Sequence, residues 1–213
     1  MSFWTGEVTD SRSQRPVVGS VVGFTGKILA VRTDSVDFGG EEPVARDVVV
    51  HPGAVGVIAL DEHDEVLLLR QYRHPVSAYL WEPPAGLLDV AGEDALVCAK
   101  RELFEEADLT ADEWHVLLDF FNSPGGSTES FRCYLARGVH EVAAAERHAR
   151  EGEERDMAAS WVPLEEARDL VLAGRLHNPA AVAGILAACA ARTSGWDTLR
   201  PADAPWPERS PGR

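Results

Sequence analysis

Glu102, Glu105 and Glu106 stand at positions i, i+3 and i+4 of "RELFEE", directly after Arg101. On an α-helix that spacing puts three carboxylates on one face within a single turn. Unscreened, such neighbours repel by about 0.2–0.5 kcal/mol a pair. Either the face is solvated, or a cation sits there. Three carboxylates beside the carbonyls of a preceding loop are the hard oxygen donors that Mg²⁺ prefers. Because Mg²⁺ keeps several waters and shares itself with substrate phosphates, an open acidic face suits it better than a closed cage.

The elements around these residues must hold them. Leu96, Ala99, Leu103 and Ala107 recur at helical spacing and predict a helix over 94–107 with one apolar stripe, the glutamates falling on the other side. Upstream, "SVVGFTGKILAVRTDSVDF" and "VARDVVVHP", parted by "GGEEP", alternate as strands around a turn. "GAVGVIALD" and "EVLLLRQYR", divided by "DEHD", read as a more buried hairpin. Downstream, "HVLLDFFNS" and "SFRCYLARG" are strands around "PGGSTE". "LEEARDLVLAG" and "PAAVAGILAACAA" then read as helices, one closed by Gly174 and the other opened by Asn178 and Pro179. Strands, a helix, more strands and then helices predict an α/β (α+β) fold in which a mixed sheet is sandwiched between helices.

Composition sets limits. With 35 acidic against 20 basic residues the 213-residue chain carries a formal charge of -15, which argues against a nucleic-acid or anionic-membrane partner. No basic start leads into an apolar core, and no apolar run approaches the roughly 18 residues of a membrane span, so the expectation is a cytoplasmic protein. Three cysteines, Cys98, Cys133 and Cys189, lie far apart among apolar neighbours and suggest neither a disulfide framework nor a zinc site. The organisation expected is an N-terminal β extension over 1–48, one main domain over 49–192, and a Pro- and Gly-rich tail over 193–213 without fixed order.

The segment from Gly86 through Glu93 to "RELFEE" and Leu109 resembles the Nudix box, the signature of hydrolases that cleave nucleoside diphosphates linked to another moiety. Glu93 is followed by "DALVCAK", after which Arg101, Glu102, Leu103, Glu105, Glu106 and Leu109 fall in the family's order. Two departures stand out: six rather than five residues separate Gly86 from Glu93, and Asp108 occupies the last glycine position. By resemblance, Glu102 and Glu106 are expected to be Mg²⁺ ligands, with Mn²⁺ as the alternative ion. Glu105 is expected to be a further ligand or its supporting partner, and the Ala85 carbonyl a backbone ligand. Arg101 is expected to orient the glutamates by charge-assisted hydrogen bonds, and Glu93 to hold the loop against the helix.

"FFNSPGGSTE", with Pro124 and Gly125 in its turn, together with "LLLRQYRHPV", "WEPPAGLLD" and "HNP", resembles the ADP-ribose pyrophosphatase branch. The likeness spans roughly residues 43 to 190. It implies hydrolysis of ADP-ribose to AMP and ribose 5-phosphate by a homodimer that exchanges its N-terminal strands. It also implies a glutamate base on a mobile loop. Within "REGEERD" the choice is Glu153, with Glu154 next; Glu129 is a third candidate. Arg73 is a candidate for phosphate or ribose contact, and Phe24 and Arg46 for the adenine. Rival readings remain: the same chemistry on ADP-glucose, GDP-mannose, NADH or FAD, a sensor that binds a nucleotide without cleaving it, or a structural acidic domain.

Overall fold

The structure, a computed structural model, describes residues 3, 5–148 and 157–209. Its centre is a five-stranded mixed sheet. Strand β4 (Ala54–Ala59) runs parallel to β9 (Ser130–Glu141), Ala54 opposite Phe131 and Ala59 opposite Ala136. β9 pairs antiparallel with β8 (Leu109–Phe121), as the paired runs around "PGGSTE" predict. β7 (Ala85–Leu87) closes one edge and the two-residue β11 (Arg200–Pro201) the other, in the order β11-β8-β9-β4-β7.

Both faces of this sheet are covered, which is why β4 is buried at every position. Val55, Val57 and Tyr134 face α1 (Ala95–Ala107), where Cys98, Ala99 and Leu103 pack on them. Ile58, Cys133 and Leu135 face the other way, toward α2 (Leu164–Leu172) and α3 (Pro179–Thr193). A Cβ on Gly184 would come within 2.7 Å of Ile58, so α3 sits on the sheet at a distance only glycine permits. The helix caps follow the sequence. Asp94 accepts from the Leu96 amide, and Asn178 accepts from the Ala181 amide with Pro179 in the first turn. Gly174, at φ 66, follows the end of α2 in the left-handed conformation.

A second sheet has the order β10-β5-β6, from β10 (Ala158–Pro163), β5 (Glu65–Arg73) and β6 (Ala78–Glu82). This corrects the hairpin read from "GAVGVIALD" and "EVLLLRQYR". β4 and β5 belong to different sheets, and strand pairing between the two runs is reduced to an isolated bridge between Leu60, just past β4, and Val66. Each strand finds better partners elsewhere: β4 gains a parallel neighbour in β9, and β5 pairs on both sides.

The N-terminal strands β1 (Val17–Thr25), β2 (Ala30–Val36) and β3 (Val44–Val50) form a third, antiparallel sheet. Its tie to the body is at Val49, whose amide donates to the Gly126 carbonyl while its own carbonyl accepts from Thr128. The C-terminal segment also differs from expectation: from 194 to 209 it lies on the central sheet. Buried Arg132 explains this, donating to the carbonyls of Ala204 and Pro205 and stacking on Trp206. A buried guanidinium has five donors to satisfy, and Asp119 can take only some of them. Among the described residues no helix is long and apolar enough to cross a membrane.

Candidate active site

α1 presents Glu102, Glu105 and Glu106 toward β7. Arg101 is the organising cation. Its Nη1 donates to Glu102 Oε1 at 2.7 Å and Glu105 Oε2 at 3.0 Å, and its Nε and Nη2 grip both oxygens of Glu93 at 3.0 and 3.1 Å. One guanidinium thereby ties the loop before α1 to the glutamates upon it, a fork that a lysine could not reproduce. The Arg101 hydrogen bonds hold the Glu93 carboxyl below its ordinary range. Glu102 moves the other way: burial raises it, Glu105 and Glu93 add to the rise, and Arg101 offsets part of it.

The loop wall is equally close. Glu106 Oε2 accepts from the Ala85 amide at 2.9 Å, and a Cβ on Gly86 would overlap the Glu102 carboxylate. Gly86 is thus required by close approach rather than by a turn. Asp108, in the left-handed conformation at φ 54, caps α1 by donating its amide to the carbonyls of Leu103 and Phe104, so the aspartate does what glycine does in the resembling pattern.

Among the described residues no three acidic, His or Cys side chains already close on one point, since Glu102 and Glu105 turn to Arg101. The donor set nevertheless fits a hard divalent cation: carboxylate oxygens on one helical face, a loop without a side chain at Gly86, and a half-buried Glu102 that burial and its acidic neighbours push up although Arg101 pairs with it.

A cleft of about 380 Å³ opens beside this face. Arg73, Glu82, Ala85, Gly86, Asn122, Glu129 and the first residues of α3 line it, whereas the α1 glutamates do not and reach it only through Ala85 and Gly86. Arg73, at the end of β5, donates through Nε and Nη2 to Glu82 at 2.6–3.1 Å. Glu129 accepts from Asn122 at 3.0 Å. Pro124 and Gly125 sit in the exposed turn between β8 and β9 that carries Glu129. Phe24 on β1 and Arg46 on β3 do not line the cleft; Phe24 is exposed and Arg46 lies 5.3 Å from the Phe38 ring. Glu153 and Glu154 lie outside the described residues.

Sequence reasoning missed Glu82, His51 and Ile28, which also line the cleft. Glu82, 3% exposed at the end of "AYLWE", left a signal in the form of a charge closing an apolar strand. His51 left none; its Nδ1 accepts from the Gly53 amide at 3.1 Å, which leaves Nε2 to carry the proton of the neutral ring.

The comparisons with known proteins agree with this geometry. Residues 50–182 match the NUDIX domain model. An ADP-ribose pyrophosphatase of Mycobacterium tuberculosis is 46% identical over 185 residues, 87% of each chain. Another from Bacillus subtilis is 32% identical over 155 residues, 73% of this chain and 82% of that one. The crystal structure of an ADP compounds hydrolase superposes with a TM-score of 0.72 over 88% of this chain and 99% of that one, at 18% identity, a likeness of fold. With the Arg101-centred glutamates, the Gly86 contact and the NUDIX domain model matched over residues 50–182, this chain belongs to the Nudix family.

Proposed function

We propose that the protein hydrolyses the pyrophosphate of ADP-ribose, with Mg²⁺, to AMP and ribose 5-phosphate. The observation that carries the reading is one cleft lined both by Arg73 and by Ala85 and Gly86, the loop residues that Glu106 and Glu102 touch from α1. Support for the substrate comes from the two ADP-ribose pyrophosphatases, both similar over most of their length.

Glu102, Glu106 and the Ala85 carbonyl would hold Mg²⁺, with Glu105 as a further ligand. When bound, the ion neutralises phosphate charge and lowers the pKa of a water. The chain's own residues supply the rest. Arg101 holds Glu102 and Glu105 in register, and Glu93 holds Arg101. Arg73, kept in place by Glu82, meets the phosphates or the terminal ribose. Water adds to one phosphorus as the bridging P–O bond breaks, and the departing phosphate leaves as a monoester. A glutamate of "REGEERD", Glu153 or its neighbour Glu154, removes the water's proton; Glu129 is the candidate already in the cleft.

The active form we propose is a homodimer. β1 is exposed along its whole length, with Val17, Val18, Val21, Val22 and Phe24 uncovered. An apolar edge sheet of this kind invites a second copy. In that assembly Phe24 and Arg46 would serve the partner's adenine site.

Chromatographic product analysis on ADP-ribose, ADP-glucose, GDP-mannose, NADH and FAD, each with Mg²⁺ and with EDTA, tests the substrate. Preferential, EDTA-sensitive release of AMP from ADP-ribose is expected. Faster cleavage of another compound would replace the substrate, and binding without cleavage would replace the reaction.

A further inference from the structure

We infer that residues 200–209 form a positioning strap that fixes the loop carrying Glu93, and through it the Arg101 fork. The inference rests on reading Glu102 and Glu105 as metal-holding residues.

The strap has three successive anchors. Arg200 pairs with Asp119 at 2.8 Å, where β11 joins β8. Arg132, 3% exposed, grips the same Asp119 at 2.7 and 3.0 Å and donates to the carbonyls of Ala204 and Pro205 at 2.7 and 3.1 Å. Its guanidinium lies 4.8 Å from the Trp206 ring, and Trp206 packs on the same core cluster as Leu103 and Cys98 of α1. The chain then turns, the Arg209 amide donating to the Trp206 carbonyl, and Arg209 Nη2 reaches the Glu93 carbonyl at 3.4 Å.

That last contact falls at a sensitive point. Glu93 spans two constraints: its side chain clamps Arg101, and its backbone lies in the irregular stretch between β7 and α1. Within that stretch the Glu93 amide donates to Val90 at 3.2 Å, and Gly92 adopts φ 80. A fork fixed at one end only by such a turn would sample many positions, so a donor arriving from the opposite edge of the sheet narrows them. No part of the strap touches the cleft. It acts on the glutamates through Glu93 and Arg101, as a positioning element.

The test uses full-length Arg209→Ala and Arg209→Lys. In the metal-free protein, amide hydrogen exchange over 89–94 should quicken about fivefold in Arg209→Ala, while β4 exchange and the melting temperature stay at wild-type values. Calorimetric Mg²⁺ titration should show about threefold weaker binding, with Arg209→Lys between the two. Unchanged exchange over 89–94 would overturn the strap, and so would a rise spread evenly through the sheet, because that pattern belongs to a merely structural tail. Neither readout needs ADP-ribose to be cleaved, so failure of the substrate reading leaves this test standing.

Discussion

At the scale of single residues the site depends on close approach and on charge sharing. Glu106 accepts from the Ala85 amide and so ties its carboxylate to the loop, and in the proposed site it would also offer oxygen to a cation. Glu106→Gln should lower kcat on the order of a thousandfold with little loss of stability, as expected when metal charge stabilisation is lost. A variant keeping more than a third of wild-type kcat would remove Glu106 from the metal set. Gly86→Ala should be comparably damaging for a steric reason, since the added methyl meets the Glu102 carboxylate. Calorimetry should find its Mg²⁺ affinity reduced about tenfold or more, and wild-type affinity would mean that the loop yields instead. For the base, Glu153→Gln should lose about 10²–10⁴ in rate while still binding substrate. If Glu154→Gln shows that phenotype in its place, the base is the later glutamate.

At the scale of elements, the C-terminal segment matters more than its composition suggests. Deleting residues 200–213 removes Trp206 from the core and two carbonyl acceptors from buried Arg132. Burial of a tryptophan and loss of partners to a buried cation together correspond to several kcal/mol, so the melting temperature should fall by about 5–10 °C. An unchanged midpoint in a thermal scan would mean that the strap adds nothing to the fold. The segment was illegible in the sequence because its anchor, Arg132, looks like a polar break in the strand "SFRCYLARG", and nothing local tells that its donors face a segment some seventy residues away. The β4–β5 misreading has the same origin. Periodicity marks both as buried strands, yet which strand lies beside which is decided by the whole sheet. Local chemistry was legible. Asn178, Pro179 and Gly174 set helix ends as their side chains and backbone preferences require, and the resemblance to the Nudix box implied Arg101 beside the glutamates, though not its grip on Glu93. His51 was hidden because it reaches the cleft only through tertiary packing, and Glu82 announced itself only as a charge closing an apolar strand.

At the scale of the whole molecule, the N-terminal sheet is the unfinished surface. Val21 and Val22 are 69% and 62% exposed on a strand that covers nothing in its own chain. Sedimentation should therefore report twice the 23.1 kDa chain mass, and Val21→Glu with Val22→Glu should convert it to single chains with much reduced ADP-ribose cleavage. A wild-type monomer of full activity would confine the site to one chain and leave Phe24 and Arg46 without a role.

The parallel pairing of β4 with β9 bears on how the protein reaches this state. The stretch between the two strands contains α1, β7 and β8, so the central register closes only around the finished glutamate helix. Such long-range closure is slow to nucleate, whereas α1 and the β8–β9 hairpin are built from contacts nearer in sequence. A chain that has formed α1 but not yet docked β4 leaves Leu103 and Cys98 without Val55 and Val57 beneath them, and leaves β7 without the strand that aims Gly86 at Glu102. In stopped-flow refolding, helical signal should therefore rise before Mg²⁺ binding does, by the time β4 takes to find its place; simultaneous appearance of the two would mean that α1 and the central register form together.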